Sequence, residues 1–230
     1  MKKIISVAAA ASIAFVASPA FAQDEAAFAG PYVGVTLGAS SLDANFVDGY
    51  ENFALGSAND SKTGLVYGVT AGYNLPVGSN GLIGVEADFN GNTARVRRDF
   101  NDWESHIRQS NPWFATVRAR AGLTTGNALF YATGGLAIVR NNNKAFYYND
   151  APCGTYTYGE EVCKATTDVG LAFGAGAEIA LNANVSVKGE YLHVNSGTQR
   201  HVATDANNDY DYVSFTNKQD IARVGFNYKF

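Results

Sequence analysis

Eight stretches of this chain carry large apolar residues at every second position, with glycine, small polar or charged residues between them. A period of two sets alternate side chains on opposite faces of a strand and does not suit a helix of period 3.6. The stretches are Tyr32–Ser40, Gly64–Asn74, Leu82–Thr93, Trp113–Thr125, Ala128–Val139, Thr167–Ala180, Val185–Asn195 and Gln219–Phe230. In the fourth, for instance, Trp113, Ala115, Val117, Ala119 and Leu123 lie on one face and Thr116, Arg118 and Arg120 on the other. The fifth is ambiguous, because both of its faces are fairly apolar.

The connections alternate in length. Three are tight, at Pro76–Asn80, Gly126–Asn127 and Asn182–Asn184, and four are long and polar, at Ser41–Thr63, Ala94–Pro112, Arg140–Thr166 and Ser196–Lys218. Short turns at one end and long loops at the other are the pattern of an outer-membrane barrel, with the long loops outside. The expected fold is therefore all-β: an eight-stranded antiparallel up-and-down transmembrane β-barrel. Parity supports the register, since residues opposed across an antiparallel pair share a face. A two-residue Gly126–Asn127 turn pairs Leu123 with Phe130 and turns Phe130, Ala132, Gly134, Leu136 and Ile138 outward. The odd loop Asn182–Asn184 sets Glu178 opposite Lys188.

The outward face is then apolar and is expected to carry no acidic or basic side chain. The inward face holds Glu86, Asp88, Asp168, Glu178 and Glu190 against Arg118, Arg120, Lys188, Arg223 and Lys229. A soluble β-sandwich would reverse this arrangement. Buried charge is tolerable only when paired, and eight strands leave a lumen just wide enough for side chains to fill. These ten residues are expected to form a salt-bridged plug, with Glu86 level with Arg120 and Asp88 level with Arg118. A conducting lumen or a catalytic carboxylate pair is the alternative, but each acid has a base nearby.

The N-terminus has the marks of an export signal: Lys2 and Lys3, the apolar run Ile4–Val16, and Ala20-Phe21-Ala22 before a cleavage point at Gln23. The run is shorter than the ~20 residues that a membrane-spanning helix needs. Residues 1–22 are expected to be a signal peptide and residues 23–230 one barrel domain. Without a spanning helix, an exported chain enters a membrane only as a closed barrel. Formal net charge is −4, which leaves no nucleic-acid footprint. Cys153 and Cys163 are the only cysteines and share one long loop, so in an oxidising compartment they are expected to form a disulfide.

The last strand, Ala222-x-Val224-x-Phe226-x-Tyr228-x-Phe230, resembles the C-terminal insertion signal that the barrel assembly machinery recognises. Together with Tyr32-Val33-Gly34-Val35 and Tyr131-Ala132-Thr133-Gly134-Gly135-Leu136-Ala137, it makes the chain similar to the small outer-membrane β-barrel surface antigens of Gram-negative, especially alphaproteobacterial, species (OmpA-barrel and opacity-like). The resemblance covers nearly all of the mature chain apart from the long loops. It implies an outer-membrane location and a non-enzymatic protein that supports envelope integrity and meets a host or environmental ligand through its loops. Members are called porin-like, so a narrow small-solute pore is the alternative. The chain shows no counterpart of the peptidoglycan-binding domain of full-length OmpA-type proteins, and wall anchoring by that route is not expected.

Residues suited to catalysis are few. His193-Val194-Asn195-Ser196 is faintly similar to the His-x-Ser dyad of lipid A deacylases, but the serine falls one residue late and so faces the other way. His106 and His201 are too few for a metal or haem site, and neither a catalytic centre, a metal nor a cofactor is expected. Arg95, Arg97 and Arg98 follow the third strand just above the membrane and suit the phosphates of lipopolysaccharide. Tyr147, Tyr148, Tyr156, Tyr158, Tyr210 and Tyr212 give the third and fourth loops the composition of adaptable contact surfaces.

Overall fold

In the computed structural model the described residues are 27–48, 57–100, 105–146, 161–204 and 210–230. The signal peptide expected at residues 1–22 lies outside them. Ten strands form: β1 (Gly30–Asp48), β2 (Ser57–Val77), β3 (Gly81–Asn92), β4 (Arg95–Phe100), β5 (Ser105–Ser110), β6 (Trp113–Thr125), β7 (Ala128–Phe146), β8 (Glu161–Ala180), β9 (Val185–Thr204) and β10 (Tyr210–Lys229).

Eight of these make the barrel expected from the sequence. Pairings run β7-β6-β3-β2-β1-β10-β9-β8, and β7 closes on β8, all antiparallel. Closure removes every edge, so each barrel strand finds hydrogen-bond partners on both sides without water. Both register expectations hold, with Leu123 opposite Phe130 and Glu178 opposite Lys188. The β6–β7 turn is two residues long, and Gly126 takes φ +57°, a left-handed conformation that glycine adopts without strain.

The structure differs from the sequence reading above the membrane. Most of the long connections are taken up by strand, and β4 and β5 form an extra hairpin that pairs along β7. In β9 a bulge sets two residues, Ser196 and Gly197, against Asn217 alone, with Gly197 at φ +80°. A bulge shifts which side chains face inward, and it turns Gln199 toward the lumen, where it bonds Asn143 and Asp168.

The outer surface is a continuous apolar band. Val35, Val69, Val85, Val117, Leu136, Leu171 and Phe226 are all more than half exposed, as hydrocarbon solvent demands. At its upper rim Phe89 stacks on Trp113, with ring centroids 5.7 Å apart. Two outward residues depart from the expectation of an uncharged face. Asp220 and His193, register partners on β10 and β9, lie among the outward side chains at the upper rim. The expectation overlooked that Asp220 shares its face with Ala222 and Val224.

The lumen is filled in tiers. At the periplasmic end Leu82, Leu129 and Tyr131 pack against Phe28, whose carbonyl accepts from Asn74 Nδ2 at 2.9 Å. The ionic residues come next. Above them is an apolar tier that includes Val66, Phe114, Val139, Leu192, Val194 and Ile221. Buried amides, among them Gln109, Asn141, Asn143, Asn217 and Gln219, occupy the extracellular mouth. These tiers explain why β7 reads as apolar on both faces: its Leu129 and Tyr131 belong to the lower apolar layer, and its Ala137 and Val139 to the upper one.

Candidate functional site

The inward-facing charges that converge are Glu86 and Asp88 on β3, Arg118 and Arg120 on β6, Glu178 on β8, Lys188 and Glu190 on β9, and Arg223 on β10. Each is fully buried, and the four acids balance the four bases. The Arg118 guanidinium is the hub. It lies 2.5 Å from Glu86, 2.7 Å from Asp88 and 3.0 Å from Glu190. Arg223 contacts Glu190 at 2.5 Å and Asp88 at 3.2 Å, and Lys188 Nζ donates to Glu86 at 2.7 Å. Arg120 pairs with Glu178 and lays its guanidinium over the Tyr131 ring, 3.7 Å from the centroid.

Neutral groups complete the network. Tyr32 Oη donates to Glu86 at 2.7 Å and Tyr131 Oη to Glu190 at 3.2 Å. Ser186 Oγ and Asn227 Nδ2 donate to Glu178 at 2.5 and 2.8 Å. Two inward glycines make room for the tyrosines, since a side chain at Gly72 would strike the Tyr32 ring and one at Gly176 the Tyr131 hydroxyl. Shared hydrogen bonds of this kind are what makes buried charge bearable.

Three details differ from the sequence reading. Glu86 is level with Arg118, and Asp88 with Thr116, because closing a barrel staggers neighbouring hairpins and height above the nearest turn is no guide across that stagger. Glu178 and Lys188 are register partners, yet each carries its charge elsewhere, to Arg120 and Glu86. Asp168 and Lys229 do not join the ionic tier. Asp168 sits half-buried at the mouth, accepting from Asn141 and Thr166 at 2.8 and 2.7 Å and from Gln199. Lys229 lies half-buried near the periplasmic rim.

On the outer face His193 Nδ1 and Tyr191 Oη both meet Asp220 Oδ1, at 2.7 and 2.6 Å. His193 also packs its ring against Phe173. The serine that a lipid A deacylase dyad would need is on the other side of the sheet: Ser196 is buried, with Oγ donating to the Asn217 carbonyl at 3.4 Å. The outward neighbour of His193 is Asn195, which supplies no nucleophilic hydroxyl. Among the described residues no group of three or more His, Cys, Asp or Glu side chains is placed to hold a metal.

Arg95 and Arg97 are exposed on β4, and Arg98 is described only as a backbone position opposite Ile107. Val224, Phe226, Tyr228 and Phe230 face outward, the last two edge-to-face with centroids 5.4 Å apart. Of the expected disulfide, Cys153 lies outside the described residues and Cys163 is described only as a β8 position opposite Lys144. His106 is likewise described only as a backbone position. Tyr147, Tyr148, Tyr156 and Tyr158 lie outside the described residues.

Comparison with known proteins agrees with the barrel and its outward apolar band. The family described as outer membrane protein beta-barrel domain matches residues 8–230. The 31 kDa outer-membrane immunogenic proteins of Brucella melitensis and Brucella suis are each 32% identical over 217 residues, covering 90% of this chain and 85% of theirs. Among solved structures, the outer membrane protein OprG from Pseudomonas aeruginosa superposes with a TM-score of 0.57 at 16% identity, covering 88% of this chain and 96% of that one. The outer membrane protease OmpT from Escherichia coli does so at 0.52 and 11% identity, covering 87% and 97%. At such identities these two speak for the fold alone. With a family match across almost its whole length and a closed barrel whose lipid-facing band is apolar, the chain belongs to the outer membrane protein β-barrel family and is a protein of the Gram-negative outer membrane.

Proposed function

We propose that this protein is a non-enzymatic barrel with a sealed lumen, which supports the outer membrane and meets the exterior through the parts of its strands that rise above the bilayer. The observation that carries the reading is the doubled seal: an ionic tier interlocked across the lumen and, above it, an apolar tier in which Phe114, Leu192 and Ile221 are fully buried. An ion entering from outside would have to shed its water at the apolar tier before reaching any counter-charge. The immunogenic Brucella relatives support surface exposure. The outward aromatic ladder ending at Phe230 suits recognition by the barrel assembly machinery.

Planar-bilayer recording of refolded monomer tests the seal. The expected result is no steady conductance above the bare bilayer. A sustained, large conductance would replace this reading with that of a narrow small-solute porin.

The outward His193–Asp220 pair gives an enzyme reading its one foothold. Without a hydroxyl partner for His193, expression should leave lipid A acylation unchanged in mass spectra, with the His193→Ala variant indistinguishable from wild type. A new deacylated species that disappears in that variant would establish an enzyme.

A further inference from the structure

The outward face of β9 and β10 holds a polar cluster within the apolar band. Crossing from β9 to β10 along a rung of paired residues climbs the barrel. Val185, the first residue of β9, is opposite Tyr228, two residues above the chain end at Phe230. At a strand spacing of about 4.8 Å and a tilt of about 40°, each strand crossed adds about 3 Å of height. Phe173, His193 and Asp220 share one rung. His193 therefore stands about 3 Å, and Asp220 about 6 Å, above Phe173. On β8 the outward residues Leu171 and Val169 continue above Phe173 and are 61% and 68% exposed. Val169 is about 10 Å above Phe173 by the same geometry, so the apolar surface rises past both His193 and Asp220.

Ionisable groups facing hydrocarbon are costly and mark a functional contact. Asp220 is held at this depth: its Oδ1 accepts from Tyr191 Oη at 2.6 Å and meets His193 Nδ1 at 2.7 Å. Facing the carboxylate, Nδ1 carries the proton of the neutral ring, which leaves Nε2 as an acceptor. Asp220 Oδ2 takes no bond from any described residue. The cluster thus offers two acceptors, on side chains that are 22% and 33% exposed.

Beneath the cluster the surface is a trough. Gly134 is the rung partner of Phe173, Ala132 of Ala175, and Ala177 of Gly189, all outward. The interior does not demand the two glycines. A Cβ at Gly189 would meet nothing within 4 Å, and one at Gly134 only the Ala172 carbonyl oxygen, at 4.0 Å. Glycine weakens a strand and marks places where something approaches the backbone closely. From His193 down to Ala177 the trough runs about 13 Å, against about 15 Å for the hydrocarbon of one leaflet.

We infer that this face binds an outer-leaflet acyl chain that carries a hydrogen-bond donor near its head. Asp220 Oδ2 and His193 Nε2 accept from the donor, and the trough holds the chain. In a Gram-negative outer leaflet the lipid of that chemistry is lipid A, whose acyl chains bear amide N–H and β-hydroxyl groups just beneath the glucosamines. Phosphate, an acceptor and an anion, does not suit the carboxylate, and glycerophospholipid chains have no donor at this depth. The inference rests on the outer-membrane reading and is independent of whether the lumen conducts.

The test uses the refolded mature chain in phosphatidylcholine nanodiscs, with bound lipid counted by native mass spectrometry. One probe is lipid A. The other is a synthetic analogue with the same phosphates and chain lengths, in which esters replace the amides and the β-hydroxyls are absent. Wild type should hold lipid A about ten- to a hundredfold more tightly than the analogue. Asp220→Leu should abolish that preference. Gly189→Leu, which fills the trough and leaves the acceptors in place, should weaken the binding of both probes. Equal binding of the two probes by wild type would overturn the proposal even if both variants failed to fold. So would a preference that survives in Asp220→Leu, or a dimer that Gly189→Leu disrupts while lipid binding stays unchanged.

Discussion

Arg118→Met should lower the unfolding free energy of the barrel in lipid vesicles by about 3–5 kcal/mol, the cost of leaving buried charges without their partner. Arg118 is 1% exposed and meets Glu86, Asp88 and Glu190 at once. Methionine nearly fills the space but leaves the ionic tier with four acids against three bases, Arg120, Lys188 and Arg223. Denaturant titration, followed by the gel shift between compact and unfolded forms, reads the effect directly. Adding Asp88→Asn to the same chain should recover part of the loss, because it restores three acids against three bases and leaves Lys188 with Glu86, Arg223 with Glu190 and Arg120 with Glu178. If Arg118→Met alone costs less than 1 kcal/mol, the ionic tier is not what holds the interior together.

The other large effect belongs to the opposite face. Val117, one residue before Arg118, is 63% exposed and sits midway along β6 in the apolar band. Val117→Arg should destabilise the folded barrel by about 2–4 kcal/mol, as arginine does near a bilayer midplane, whereas Val117→Leu should be nearly silent. In detergent micelles, where the headgroups lie closer, the arginine penalty should shrink. A Val117→Arg barrel as stable as wild type in vesicles would mean that this face does not touch hydrocarbon. Placing the same residue type one position apart thus compares its two environments: arginine at 118 sustains the structure, and arginine at 117 opposes it.

The membrane-embedded half of the barrel was legible because two facts repeat along the chain, the period of two and the parity imposed by short turns. Gly126-Asn127 was enough to place Leu123 opposite Phe130 and settle the faces of β7. The extracellular half was not legible, for a physical reason. Above the bilayer both faces of a strand can be polar, so Asn141-Asn142-Asn143-Lys144 shows no alternation although β7 runs through it. In β9 the bulge at Gly197 changes the parity outright. Within the lumen the identities of the charges were readable but not their partners, since the stagger of a closed barrel decides which side chains lie level. The pairing of β5 with β7 could not be found either, because nothing local to either segment specifies it.

The two-faced character of the wall bears on how such a molecule enters a bilayer at all. While the β1–β10 seam is open, the eight charges of the ionic tier belong to a sheet with hydrocarbon on both sides, and each must be solvated by water drawn in beside it or shielded by a chaperoning surface. Once the seam zips, the same groups solvate one another across the axis. Partly inserted sheets are therefore penalised, and the penalty grows with each charged strand added until the last pairing forms. Entry should be close to an all-or-none event, with a barrier set by the interior although only the exterior meets lipid.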